Sequence, residues 1–288
     1  MTKELLLGDN PFFGVDNLSQ ERARKRMQSL DGLEKIADIM DYVSKFGVKG
    51  FVVSTHPQLR ELLEYLEKNT SLLKKFEFYP ILPYAQGYVT LATEKGVVKA
   101  ANDLLAAGKM QDKVKILLKG SIGYLKKDVG KLIETLIDVE LLPFKNARKK
   151  TVFLHDGVTD LVFGLGMKQI VETFFHHIED NYGTSVGLVT KNLPTIMQKL
   201  DSWNMKIPTI MASFNPLGYL MNPSREAYED SLGKSDVIAM NVLAAGYLKP
   251  EESFEYIFKH PIQSVVVGMS TKEHAEETIN SFKKFNEI

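Results

Sequence analysis

Short apolar runs recur along the chain, at Glu4–Gly8, Gly50–Thr55, Phe76–Leu82, Val114–Lys119, Thr151–His155, Ser185–Thr190, Thr209–Phe214, Val237–Val242 and Ser264–Gly268. Between them lie helix-length stretches in which apolar residues return every three or four positions. Leu33, Ile36, Ala37, Met40 and Val43 make one such stripe, and Ile170, Phe174 and Ile178, within Lys168 to Tyr182, make another. Strand, helix, strand, helix is the pattern of a parallel sheet with covered faces. Connections are mostly short, and no Pro-, Ser- or Gly-rich linker divides the chain, so residues 1–288 are expected to form a single domain. This many βα units favours an α/β fold closed into a (β/α)8 TIM barrel over an open doubly wound sheet. No glycine-rich phosphate fingerprint follows any run, which weighs against the open sheet again. Nine runs compete for eight places in a ring. Either the first run or Phe76–Leu82, which contains Pro80, is expected to lie outside it.

Side-chain parity then points to a site. In a barrel strand one face meets the helices, while the other points inward and carries polar groups near its C-terminal end. In "VKILLKG", Val114, Ile116 and Leu118 form the apolar set, which turns Lys119 inward at the mouth. In "TVFLHD", Val152 and Leu154 face the helices and Thr151, Phe153 and His155 point in. The same reading sends Val186 and Leu188 outward with Lys191 inward, and Ile210, Ala212 and Phe214 outward with Asn215 inward. It also sends Ile238 and Met240 outward with Asn241 inward. A buried ammonium without a partner costs several kcal/mol, so an inward lysine is expected to be paired, deprotonated or bound to a ligand.

Composition narrows the partners. Thirty-six basic residues balance thirty-six acidic ones, leaving no net field to hold nucleic acid or an anionic membrane, so a small-molecule substrate fits better. The chain has no cysteine, hence no thiolate nucleophile, disulfide or cysteine-ligated metal. No close pairing of histidines supports a metal site built from Asp9, His56, His155 and Asp156. The apolar start of "MTKELLLGDN" is too short for a signal or membrane segment, and a cytoplasmic protein is expected. "GDNPFFG" sets Asp9 and Asn10 just past a strand end, where Asp9 can supply a carboxylate to the mouth and Phe12 and Phe13 can wall it. The stretch "DGVTDLVFGLGM" reads as a glycine-containing lid loop, with "FNPLGYLMNPS" as a second. "FKNARKK" reads as a solvated turn below the barrel, and His176–His177 as surface residues of a helix.

From Thr151 onward the chain resembles the second half of an aldo-keto reductase. "TVFLHD", "VGLVTKN", "IMASFNPLG", "VIAMNVLAAGYL" and "SVVVGMSTKEHAEETINSF" stand in that family's order and near its spacings. The resemblance implies a (β/α)8 barrel that transfers hydride between a nicotinamide cofactor, NADP or NAD, and a small carbonyl or alcohol. "VKILLKG" resembles the family's strand with the catalytic lysine, and "LHD" the strand ending in its catalytic histidine, which carries over Lys119 and His155. The final segment resembles the family's cofactor-phosphate site at a helix N-terminus. Cofactor contacts are thereby implied at Asn192, Asn215, Asn241, Gly268, Ser270, Thr271 and Lys272, with Lys272 hinting at a 2′-phosphate.

The family's D-T-A-x-x-Y motif has its nearest match in "PYAQGY", with Tyr88 at the tyrosine position and Pro83 where the aspartate belongs. Tyr88 and Asp9 therefore complete the candidate catalytic set with Lys119 and His155. Two other functions remain open on the sequence. A lysine without its aspartate tends toward the neutral amine, the form that attacks carbonyls, so Lys119 could serve a lyase or aldolase through a Schiff base. A barrel that binds a ligand without catalysis is the third.

Overall fold

A computed structural model describes residues 2–13, 32–83 and 129–286 of the 288-residue chain. Eight parallel strands close into a ring: β1 (Glu4–Gly8), β2 (Gly50–Ser54), β3 (Glu77–Leu82), β5 (Thr151–Leu154), β6 (Ser185–Thr190), β7 (Thr209–Ser213), β8 (Val237–Met240) and β9 (Ser264–Gly268). The seam is β9 on β1, with Leu6 opposite Val266 and Gly8 opposite Gly268. The fold is thus the expected closed (β/α)8 arrangement. Both runs suspected of lying outside it are ring strands, and β3 pairs directly with β5. Val114–Lys119 lies outside the described residues.

Pro80 is accommodated by a bulge. A two-residue strand, β4 (Arg148–Lys149), pairs with the start of β3 before β5 takes over, and the register slips by one residue between them, from Phe78 opposite Lys149 to Ile81 opposite Phe153. The carbonyls of Phe78 and Leu82 accept from Lys150 N and His155 N, so Pro80, of the same parity, turns its donor-less nitrogen toward the interruption at Lys150. A proline within a sheet belongs at such a break. Two residues of the basic stretch thereby join the sheet rather than a turn, and Arg148 and Lys150 both pair with Glu77.

Two apolar layers follow from strand parity. Leu6, Val52, Tyr79, Phe153, Val189, Met211 and Ile238 fill the barrel, while the larger core of Leu7, Phe51, Val152, Leu188, Ile210, Val265 and their neighbours lies between barrel and helices. The interior is tightly fitted: a Cβ on Gly187 would overlap the Phe153 ring. Parity was legible where one face carries polar residues. In β8 it was inverted, because Ile238 lies inside with Met240 packed against it, and Val237 and Ala239 face the helices. A strand buried on both faces is apolar throughout, so its register cannot be read from polarity.

The helices among the described residues are α1 (Leu33–Ser44), α2 (Leu59–Asn69), α3 (Leu72–Lys75), α4 (Val129–Leu141), α5 (Asp156–Gly164), α6 (Lys168–Tyr182), α7 (Leu193–Ser202), α8 (Arg225–Ser231), α9 (Pro250–Phe258) and α10 (Lys272–Asn286). The stripes expected for α1 and α6 are buried at Ile36, Ala37, Met40 and Val43, and at Phe174 and Ile178. The expected lid after His155 is a helix instead: α5 buries Thr159, Val162 and Phe163 at helical spacing. Its glycines misled because Gly164 ends the helix and Gly166, at φ 71°, makes the turn beyond it. His177 is also not a surface residue. It is buried, with Nε2 at 2.7 Å from Asp138, and the Tyr182 hydroxyl donates to the same carboxylate oxygen. Adjacent helical residues point different ways, so one of two neighbouring histidines faces the interior.

Candidate active site at the carboxyl ends of the strands

The strand ends of β1, β2, β5 and β6 bring together the charged residues of the mouth. Just past β1, Asp9 is buried, and its Oδ2 accepts the Ser54 amide at 2.7 Å, which ties β1 to β2. Burial pushes its carboxyl up to about 6, against hydrogen bonds from Ser54 and a favourable field from His155 that pull it down. Behind it the 9–12 turn, closed by Phe12 N donating to Asp9 O at 2.8 Å, turns Phe12 and Phe13 into the structure, where both are buried. Phe13 stacks on His56, with ring centroids 4.9 Å apart and planes 13° apart. Burial moves the His56 imidazole down, favouring the neutral ring.

His155 follows β5 and caps α5. Its amide continues the ladder to Leu82 O at 2.9 Å, and its side chain folds toward the helix N-terminus. Nδ1 lies 3.1 Å from Gly157 N and 2.9 Å from Asp156 Oδ1. The other Asp156 oxygen lies 2.5 Å from the Lys191 ammonium, at the end of β6. Burial alone would push the Asp156 carboxyl up, but hydrogen bonds from His155 and Lys191 outweigh it and hold the group well below the usual carboxylate range. One helical turn on, Asp160 accepts from the Thr190 hydroxyl at 2.5 Å and the Lys191 amide at 3.2 Å. Burial raises its carboxyl. Sequence reasoning missed the roles of Ser54, Asp156 and Asp160. The available signal was the pair of aspartates four apart, which a helix starting at Asp156 sets on one face.

Uncharged groups occupy the ends of β7, β8 and β9. Asn215 is fully buried: its amide donates to Tyr219 O at 2.9 Å and Asn241 O at 3.3 Å, and its oxygen accepts from Tyr219 N at 2.9 Å. It pins the 214–224 loop, which is also held by Asn222 N donating to Lys191 O at 3.0 Å. Asn241, at φ 53°, donates to the Ser213 hydroxyl at 2.9 Å. Asn192 caps α7, with its oxygen 3.4 Å from Thr195 N. Gly268 is where Pro11 of the β1 turn crosses; a Cβ there would lie 2.7 Å from the proline ring. Ser270 Oγ lies 3.1 Å from His274 Nδ1, and Thr271 Oγ1 accepts the His274 amide at 3.2 Å at the start of α10. Of the predicted catalytic residues, Asp9 and His155 are at the mouth, and Lys119 and Tyr88 lie outside the described residues. Among the described residues no group of three or more His, Cys, Asp or Glu side chains is gathered closely enough to hold a metal. None of the described helices is long and apolar enough to cross a membrane.

An anionic cofactor is compatible with one part of this rim. The hydroxyls of Ser270 and Thr271, the exposed Lys272 and the N-terminus of the 15-residue α10 form a donor-rich junction after β9. Glu273 is a competitor for it: its carboxyl lies low because its own amide and the Thr271 side chain hydrogen-bond it.

Solved structures that resemble this fold include aldo-keto reductases. A Pseudomonas aeruginosa protein provisionally assigned to that family aligns over 99% of this chain and 91% of its own, with a TM-score of 0.61 and 13% identity. An aldo-keto reductase from Bacillus halodurans, solved in its holo form, aligns over 98% of this chain and 86% of its own, at 0.57 and 10%. One from Brucella melitensis aligns over 98% and 93%, at 0.51 and 8%. No family model matches the chain, and no curated protein matches its sequence. The fold is therefore an aldo-keto-reductase-like (β/α)8 barrel, and at these identities the likeness concerns the fold.

Proposed function

We propose that the protein is an oxidoreductase that interconverts a small carbonyl compound and its alcohol with a nicotinamide cofactor. The observation that carries this reading is the convergence of Asp9, His155, Asp156 and Lys191 at the carboxyl end of a barrel with the aldo-keto reductase fold. Fold alone would not suffice, because barrels of this type host many chemistries at the same rim. A bound nicotinamide supplies or accepts the hydride. The chain's own residues must then hold the substrate oxygen and move its proton. Two carboxyls whose surroundings push their proton affinities in opposite directions suit such a proton transfer. Asp156 stays ionised, and Asp9, raised to about 6, exchanges its proton near neutrality. His155, partly exposed beside Asp156, stands just past the end of β5. The candidate holders of the cofactor phosphate are Ser270, Thr271 and Lys272, with the exposed ammonium of Lys272 favouring NADP over NAD. Gly268 admits the close approach of the β1 turn beside them. The described lysine of the mouth, Lys191, is ion-paired with Asp156, which does not suit it to amine nucleophilic catalysis.

Fluorescence titration with NADPH and NADH tests the reading. Saturable quenching or energy transfer at micromolar NADPH is expected, weakened by Lys272→Ala. No binding of either cofactor at high micromolar concentration removes the proposal.

A further inference from the structure

We infer that Asp156, itself held by Lys191, is a positioning residue that keeps a proton on His155 Nδ1 and leaves Nε2 as the nitrogen that exchanges protons with substrate. The role of Nε2 rests on the oxidoreductase reading; the tautomer does not. Two groups compete for Nδ1. Gly157 N, at 3.1 Å, can donate to it only if the nitrogen carries a lone pair, whereas Asp156 Oδ1, at 2.9 Å, can accept from it only if the nitrogen carries a proton. One nitrogen satisfies one of them at a time.

The carboxylate is the stronger claimant. A hydrogen bond to an ionised acceptor is roughly twice as strong as one between neutral groups, and a bare lone pair against a carboxylate oxygen at that distance is repulsive. Asp156 stands in the first turn of α5, where the helix dipole favours an anion, and Lys191 Nζ at 2.5 Å fixes its second oxygen. The Gly157 amide lies in an exposed contact, so water can take its hydrogen bond when Nδ1 is protonated. Lys191 is anchored in turn, because Asp160 accepts its amide at 3.2 Å. The α5 helix thus grips both ends of the lysine, with Asp160 on the backbone and Asp156 on the ammonium. Asp156 touches the ring, with the Lys191 ammonium on its other oxygen, and Asp9 of the β1 turn acts on the ring through its field.

The proton balance is simple. When the ring is doubly protonated, Nε2–H gives its proton to a substrate oxygen that has gained negative charge, and the Nδ1 proton stays in its bond to Asp156. In the reverse direction the alcohol proton moves to Nε2. No tautomer change intervenes in either direction.

Long-range proton–nitrogen correlation spectra of histidine-labelled protein at alkaline pH, with His155→Asn to identify the signal, read the tautomer directly. The expected neutral ring of His155 carries its proton on Nδ1. In Asp156→Asn the proton is expected to move to Nε2, with Gly157 N–H now bonded to Nδ1. A wild-type ring protonated on Nε2 overturns the inference, as does a ring that stays protonated on Nδ1 in folded Asp156→Asn. The wild-type measurement needs no turnover, so it stays decisive even if no nicotinamide binds.

Discussion

The two halves of the barrel mouth use polar side chains in opposite ways. On the β1, β5 and β6 side, Asp9, His155, Asp156 and Lys191 gather from different strands as hydrogen-bonded and charge-paired groups, and His155 and Lys191 keep part of their surface in solvent. On the β7 and β8 side, Asn215 fastens the 214–224 loop and Asn241 donates to the Ser213 hydroxyl at the end of β7. Both halves present polar residues one or two steps beyond a strand end. Charge separates them: an uncharged amide can be buried cheaply once every donor and acceptor is matched, whereas on the charged side Asp156 and Lys191 compensate each other and the buried Asp9 is held by the Ser54 amide.

The largest effect should come from breaking the neutral half. Asn215→Leu leaves Tyr219 N and O without their partner, while Asn241 O keeps the Ala244 amide, a loss of about 4 kcal/mol at 1–3 kcal/mol for each unmatched group. Chemical denaturation would measure it. If the two halves are as distinct as described, the NMR signals of His155 should move little, whereas those of Lys191, whose carbonyl accepts from Asn222 of the loop, should shift.

Next is pH, which sets the two aspartates of the charged half against each other. Asp9 is protonated in folded and unfolded chains below about pH 4. Between about pH 4 and its folded value of about 6 the unfolded chain ionises first, so this group lowers stability by about 3 kcal/mol over that window and then levels off. Asp156 has the reverse sign: its stabilisation is present above the ordinary carboxylate range and is lost as pH falls through and below it. Denaturation midpoints of Asp9→Asn across pH 4–8 should lack the downward step that the wild type shows. A wild type without that step contradicts the buried setting of Asp9.

A smaller change is expected from Lys191→Met, which removes the ammonium from Asp156. The lysine is part exposed, so about 0.5–1 kcal/mol of stability should be lost, together with a rise of the Asp156 carboxyl toward its ordinary range. Carboxyl NMR titration follows the second effect. Smallest is Lys272→Ala, at an exposed helix end, with NADPH affinity weakened about threefold and NADH affinity unchanged. Equal weakening of both would argue against a 2′-phosphate contact.

Much of this site was legible from polarity alternation alone. Phe153 inside and His155 beyond it, or Met211 inside and Asn215 beyond it, follow from strands whose polar residues mark one parity. Ile238 and Met240 could not be placed in that way, since nothing in "VIAM" distinguishes its faces. Asp156 and Asp160 were hidden for another reason: their importance depends on α5 starting immediately after His155, where the glycines suggested a loop.

The sequence by itself determined the alternation of strands and helices, the closed parallel barrel and the place of His155 just past a strand end, because these depend on local periodicity and on burying apolar faces. Tertiary structure alone decided that Pro80 stands at a bulge, that Asn215 is a buried clamp, and that Lys191 meets Asp156. Those outcomes depend on register and on the approach of segments far apart in the chain, and the free energy of such contacts is set by which partners arrive together.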